Sequence, residues 1–147
     1  MRLLYLLIQN KKTNLPRSNA LLSLMCFHSS RFDSRLNDNG EYLLYFDQNK
    51  HNWNKGLIAK GEFYLDQSAK GNEISKYHLE ARIAFWHSRE NDTMKKWENI
   101  LQLYNQLLQI QYSPIIALNR TYALSKTDGK EIAIKEALKI DLKPILS

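Results

Sequence analysis

Trp97-Glu98-Asn99-Ile100-Leu101-Gln102-Leu103-Tyr104-Asn105-Gln106-Leu107-Leu108-Gln109-Ile110-Gln111-Tyr112-Ser113-Pro114-Ile115-Ile116-Ala117-Leu118-Asn119-Arg120-Thr121-Tyr122 decides the architecture. Trp97, Ile100, Leu101, Tyr104, Leu107 and Leu108 recur at steps of three and four, the stripe of an amphipathic helix. Pro114 breaks it, because proline lacks the amide donor and pushes Ser113 out of the helical region. The same proline suits the first turn of a second helix, which a short loop folds back on the first. Neither helix hides its stripe alone, so the pair needs a further neighbour. The expectation is an all-α fold of stacked antiparallel helical hairpins, a tetratricopeptide-like array.

Working outward, residues 2–9 read as a short apolar helix and Asn10 to Asn19 as a polar loop. Ala20 to about Arg35 reads as a helix with Leu21, Leu24, Met25 and His28 on one face. Asn37-Asp38-Asn39-Gly40 is a turn signal, and Glu41 to Phe46 reads as extended, giving a short non-helical insert around residues 37–47. Asp47 is a candidate cap for a helix carrying Trp53, Leu57, Ile58, Gly61, Tyr64 and Leu65, which Ala69-Lys70-Gly71-Asn72 ends. A helix over about Ser75 to Ser88 follows, then the Trp97–Tyr122 hairpin. Asp128-Gly129 is another turn before a last helix from Lys130 to about Ile140. Pro114 and Pro144 stand in similar contexts about thirty residues apart, near the ~34-residue tetratricopeptide period. Residues 1–147 are expected to form a single helical-repeat domain. The chain stops where a further helix would begin, so it is expected either to end in an exposed face or to be a fragment.

Composition agrees with a packed helical globule. The 147 residues are 44% apolar and 11% aromatic, with five glycines and three prolines. Cys26 is the sole cysteine, which leaves no internal disulfide or cysteine metal cluster and suits a reducing cytoplasm. Met1 to Ile8 is too short an apolar run for a signal or a span and is expected to be a buried helix. The net charge of +6 is uneven: residues 1–36 hold six Lys/Arg against Asp33 alone. A basic face suits nucleic acid or an acidic protein, but the scattered lysines read first as solvated surface.

No catalytic constellation emerges. His28, His51, His78 and His87 lack metal-ligand spacing, and His28 on an apolar stripe reads as a core histidine. Ser29 and Ser30 lack nucleophile-elbow glycines, and no glycine-rich phosphate loop is present. The expectation is a non-enzyme with no cofactor, no metal and no catalytic residue. Trp53, Tyr77, Trp86, Trp97 and Tyr104 at helical spacing read as core-defining aromatics. Arg31, Arg35, Asp47, Gln48, Asn119 and Arg120 form a polar set open to two readings: an internal ion-pair network, or part of a concave surface that grips a partner.

Four blocks carry a resemblance. They are Phe46-Asp47-Gln48-Asn49-Lys50-His51-Asn52-Trp53 with Leu57-Ile58-Ala59-Lys60-Gly61; Tyr77-His78-Leu79-Glu80-Ala81-Arg82-Ile83-Ala84; Trp97-Glu98-Asn99-Ile100 with Leu103-Tyr104; and Ser113-Pro114-Ile115-Ile116-Ala117-Leu118-Asn119-Arg120. In order and spacing, over about residues 3–142, they resemble the helical C-terminal extension of a group of extracytoplasmic-function RNA polymerase sigma factors. The resemblance implies a tetratricopeptide-like fold that follows two promoter-reading sigma domains. The chain departs from that pattern at Asn49-Lys50-His51, where the family usually has Asp-Arg-Ser, and at Lys60, His78 and Glu80. Nothing in the chain resembles the sigma domains themselves, so it is not expected to read promoter DNA or to bind a membrane.

The implied function is a non-catalytic regulatory and interaction domain that modulates sigma-dependent initiation. Its implied partners are the sigma domains of the same or a companion chain, and RNA polymerase. Two alternatives stay open: a free-standing helical-repeat adaptor for an unrelated protein, and a small-molecule-binding domain with a pocket near Trp53 and Tyr77.

Overall fold

The computed structural model describes residues 1–34, 36, 39–43 and 48–143. The fold is all-α. Helices α1 (Arg2–Gln9), α2 (Pro16–Ser30), α3 (Lys55–Ser68), α4 (Lys76–His87), α5 (Met94–Ile110), α6 (Pro114–Thr127) and α7 (Lys130–Leu138) follow in order. Short 3-10 turns at Phe32–Ser34 and Lys50–Asn52 flank the insert. The described part of the insert holds one isolated antiparallel bridge, between Leu36 and Tyr42. The chain divides into two compact units, Met1–Glu90 and Asn91–Ser147. No described helix is long and apolar enough to cross a membrane.

In the first unit α2 is the hub. Its Ser23 hydroxyl donates to the Gly61 carbonyl at 2.6 Å, and its Ser30 carbonyl accepts from the Asn54 amide at 2.7 Å. Those pairs rise along α2 as they fall along α3, so the two helices are antiparallel. Leu24 and Phe27 of α2 meet Ala81 and Ala84 of α4 in a buried cluster, with Leu21, Ile58, Leu65 and Phe85 packed around it. Phe27 and Phe85 stack edge to face at 6.2 Å, a favoured aromatic geometry. The close approach of α2 to α3 depends on Gly61: a methyl group there would lie 2.8 Å from the Phe27 ring.

In the second unit α5 and α6 form the hairpin expected from the sequence. Ser113 is extended (φ −146°, ψ 133°) and Pro114 opens α6, as the steric restriction before proline requires. Trp97 meets Tyr122 edge to face at 5.5 Å, while Asn105 accepts from the Arg120 side chain. A pair far apart in sequence near the open end and a closer pair near the loop define an antiparallel hairpin. Gly129, at φ +101°, turns the chain into α7 through a backbone region that favours glycine. Helix α6 packs on both α5 and α7, and the unit buries Ile100, Leu101, Leu103 and Leu107 of α5, Ala117, Ala123 and Leu124 of α6, and Ala133 of α7.

Several sequence expectations shift, among them the first helix, expected to be buried, which contains no buried residue. Helix α2 starts at Pro16, four residues before Ala20, because Leu15 is extended and the proline takes the first helical position. It ends at Ser30 rather than near Arg35: the Ser30 carbonyl that would extend the ladder takes the Asn54 amide instead. His28 is exposed rather than core. The inner arc of α2 runs through Ser23, Phe27 and Ser30, where two serines are buried because backbone carbonyls satisfy their hydroxyls at 2.6 Å. The cap of α3 is Asn54, whose side chain accepts from the Leu57 amide at 3.0 Å; the candidate cap Asp47 lies outside the described residues. Pro144 lies outside them too.

Candidate interaction surface

At one corner of the first unit the chain leaves α2 and returns into α3. Trp53 is buried there, 3% exposed, and the Arg31 guanidinium lies 5.9 Å from its ring centroid, within cation–π range. Gln48 donates through Nε2 to the Leu43 carbonyl at 3.3 Å. Lys50 donates through Nζ to the Glu90 carbonyl at 2.5 Å, and Lys55 pairs with the Glu90 carboxylate at 3.3 Å. Arg89, just past the end of α4, pairs with Glu62 of α3 and lies 4.6 Å over the Phe85 ring. Lys55, Ile58, Ser88, Arg89 and Glu90 line an open cleft of about 250 Å³. Neither Trp53 nor Tyr77 lines that cleft.

A second polar feature ties the start of α4 to the end of α3. His78 is buried, and its Nδ1 accepts from the Ser75 amide at 3.0 Å, so the ring hydrogen sits on Nε2 and is donated to the Ser68 carbonyl at 3.1 Å. One imidazole thereby satisfies an orphan donor of one helix and an orphan acceptor of the other. Two residues on, Glu80 is half-buried, and burial raises its carboxyl above the ordinary 4.5, an effect that Lys76 opposes. A carboxyl whose folded pKa is raised removes stability as pH climbs through and above 4.5. Glu80→Gln is expected to abolish that loss. Thermal unfolding of the variant should match the parent near pH 3.5 and exceed it at pH 7, by less than about 1 kcal/mol.

In the second unit the charge gathers on one indole. Lys96 is 1% exposed, donates to Asp92 at 2.9 Å and lies 5.4 Å from the Trp97 centroid. Lys126 lies 5.8 Å from the same ring and 5.5 Å from that of Tyr122. A buried ammonium is tolerated only when paired. Both contacts have i,i+4 spacing: Tyr122 and Lys126 share a face of α6, whereas Asp92 stands just before α5 and reaches Lys96 in its first turn; from sequence alone both lysines read as solvated surface.

The polar set is therefore divided. Arg31 and Gln48 belong to the first unit, Arg120 bonds Asn105 in the second, and Asn119 on α6 is exposed. Arg35 and Asp47 lie outside the described residues. Of the aromatics, Trp53 and Trp97 are buried, whereas Tyr77, Trp86 and Tyr104 are half-buried. No group of three or more His, Cys, Asp or Glu is placed to hold a metal among the described residues.

This geometry defines a class: an all-α scaffold of helical hairpins with buried tryptophans and a surface of ion pairs and cation–π contacts. Among known proteins, residues 1–69, which span α1 to α3, match a family described as "Family of unknown function (DUF6596)". A relative from Rhizobium meliloti (strain 1021), "Uncharacterized protein R00370", is 32% identical over 120 residues, which are 81% of this chain and 28% of that protein. The chain thus spans under a third of that relative's length. No solved structure matches the chain.

Proposed function

We propose that this chain is a non-catalytic regulatory module of an extracytoplasmic-function type sigma factor, acting in the cytoplasm by binding sigma domains or RNA polymerase. The observation that carries the reading is the sequence match in four blocks, each with a structural counterpart. Trp53 is the buried corner residue, Tyr77 to Ala84 open α4, Trp97 is the buried indole of α5, and Ser113-Pro114 opens α6. The much greater length of the rhizobial relative leaves room there for further domains. A hairpin stack suits the role because it presents long side-chain rows on rigid rods and needs no reacting group.

The test is a binding titration of the chain against the cognate sigma domains and core polymerase, each purified separately. Binding tighter than ~10 μM to either is expected, the range of specific protein contacts. A titration that stays flat to that concentration with both partners overturns the proposal.

A further inference from the structure

Asn39-Gly40 is the one asparagine–glycine step in the chain. Both residues are exposed, in the turn that the antiparallel bridge between Leu36 and Tyr42 closes. Gly40 takes φ +79°, and a Cβ built there would meet no atom of the described residues within 4 Å, its chain neighbours aside. Glycine lets the backbone adopt that conformation and leaves its own amide open to close approach. Other asparagines stand in different surroundings. Asn19 is buried and donates to Asn14 and to the Leu15 carbonyl. Asn54 caps α3, Asn99 donates to the Lys95 carbonyl, and Asn105 accepts from Arg120. Each of these four precedes a residue whose side chain crowds the adjoining amide.

We propose that Asn39 is a site of spontaneous deamidation, with water as the sole co-reactant. The Gly40 amide nitrogen loses its proton to solvent base and attacks Cγ of Asn39. A five-membered succinimide closes as the Cγ–Nδ2 bond breaks, and Nδ2 takes up a proton from solvent and leaves as ammonia. Water then adds to one of the two ring carbonyls. Opening at Cγ leaves an aspartyl residue, whereas opening at the main-chain carbonyl leaves an isoaspartyl residue whose chain runs through the former side chain. One water is consumed, one ammonia is released, and nothing is oxidised or reduced. Either product replaces a neutral amide with a carboxylate and lowers the net charge of +6 by one. The isoaspartyl form also inserts a methylene into the backbone between Leu36 and Tyr42, so their bridge cannot keep its register. The inference does not depend on the sigma-factor reading, and its test uses neither sigma domains nor polymerase.

The test ages the full chain in mildly alkaline buffer, digests it with trypsin under mildly acidic conditions, and locates mass gains by fragmentation in a mass spectrometer. Residues 36–50 form one tryptic peptide that contains Asn37, Asn39 and Asn49. A gain of one mass unit is expected at residue 39, at least ~10-fold faster than at any other asparagine, the ratio that a barrier lower by about 1.4 kcal/mol produces. Because the turn leaves the site open, the folded chain should react within ~10-fold of the rate in the urea-unfolded chain, a barrier difference of no more than about 1.4 kcal/mol. Asn39→Gln, which would have to close a six-membered ring, should remove the gain at this position. In NMR spectra the Leu36–Tyr42 contact should vanish from the isoaspartyl fraction and persist in freshly prepared Asn39→Asp, which adds the charge without the extra methylene. A mass gain that appears first at another asparagine, a peptide 36–50 that gains mass as fast in Asn39→Gln as in the parent, or a folded chain more than ~10-fold slower than the unfolded one overturns the proposal.

Discussion

Trp97→Ala should destabilise the Asn91–Ser147 unit by about 3–5 kcal/mol, the cost of emptying a large aromatic site in a core that collapses only partly. The indole is 3% exposed and supports three contacts at once: the Tyr122 ring at 5.5 Å and the ammonium groups of Lys96 and Lys126. Its removal opens a cavity at the open end of the α5–α6 hairpin and takes away the π face beneath a buried lysine. Trp97→Phe keeps an aromatic face and part of the volume and should lose roughly half as much. Urea unfolding followed by the methyl resonances of Leu101 and Leu124 would measure both. A Trp97→Ala chain that unfolds at the parental midpoint would show that the ring is not a core support.

The second large effect concerns a complementary pair. Phe27→Ala should cost about 3–5 kcal/mol, because Phe27 fills the centre of the α2–α4 cluster at 1% exposure. Gly61→Ala, a change that ordinarily gains up to ~1 kcal/mol of helix propensity, should instead lose about 1–3 kcal/mol as an overpacking substitution. The new methyl would lie 2.8–3.0 Å from three carbons of the Phe27 ring. That ring is also buried edge to face with Phe85 at 6.2 Å, which restricts its movement. Combining Gly61→Ala with Phe27→Leu should cost less than the sum of the two single changes, since a smaller side chain makes room for the methyl. Additive losses in thermal or urea unfolding would mean that the two positions do not share a space.

Both predictions depend on features of unequal legibility in sequence. Trp97 was readable because its partners on the stripe lie three, four and seven residues away, within reach of a local period. The hairpin turn was readable because proline and glycine act through their own backbone: Ser113 is extended before Pro114, and Gly129 takes a positive φ. Gly61 showed only as one apolar step in a stripe. Its value lies in a ring thirty-four positions earlier in the chain, and no local period reports that distance. The boundaries of α2 were misplaced for a similar reason, since its end is set by the Asn54 amide from the far side of the insert.

The candidate surface was less legible than the fold. Arg31 and Gln48 were singled out from the sequence, and they do lie at the Trp53 corner. Lys96, the most deeply buried charge described, reads with its neighbours as surface, because hydropathy assigns lysine to water and only packing can enclose it. His28 failed in the opposite direction: one face was assigned to α2, whereas three neighbouring helices set a wider inner arc that leaves this residue outside.

By itself the sequence determined that the chain is a succession of amphipathic rods, where most of them stop, and which turn residues reverse its direction. Those properties arise from backbone stereochemistry and from side-chain spacing within a few residues. Tertiary structure alone decided which stripe of each rod is covered, why Gly61 tolerates no side chain, how Lys96 comes to be enclosed, and that Leu3 and Leu6 remain in water. Each of these is a distance between elements, set when apolar faces from distant parts of the chain compete for the same space.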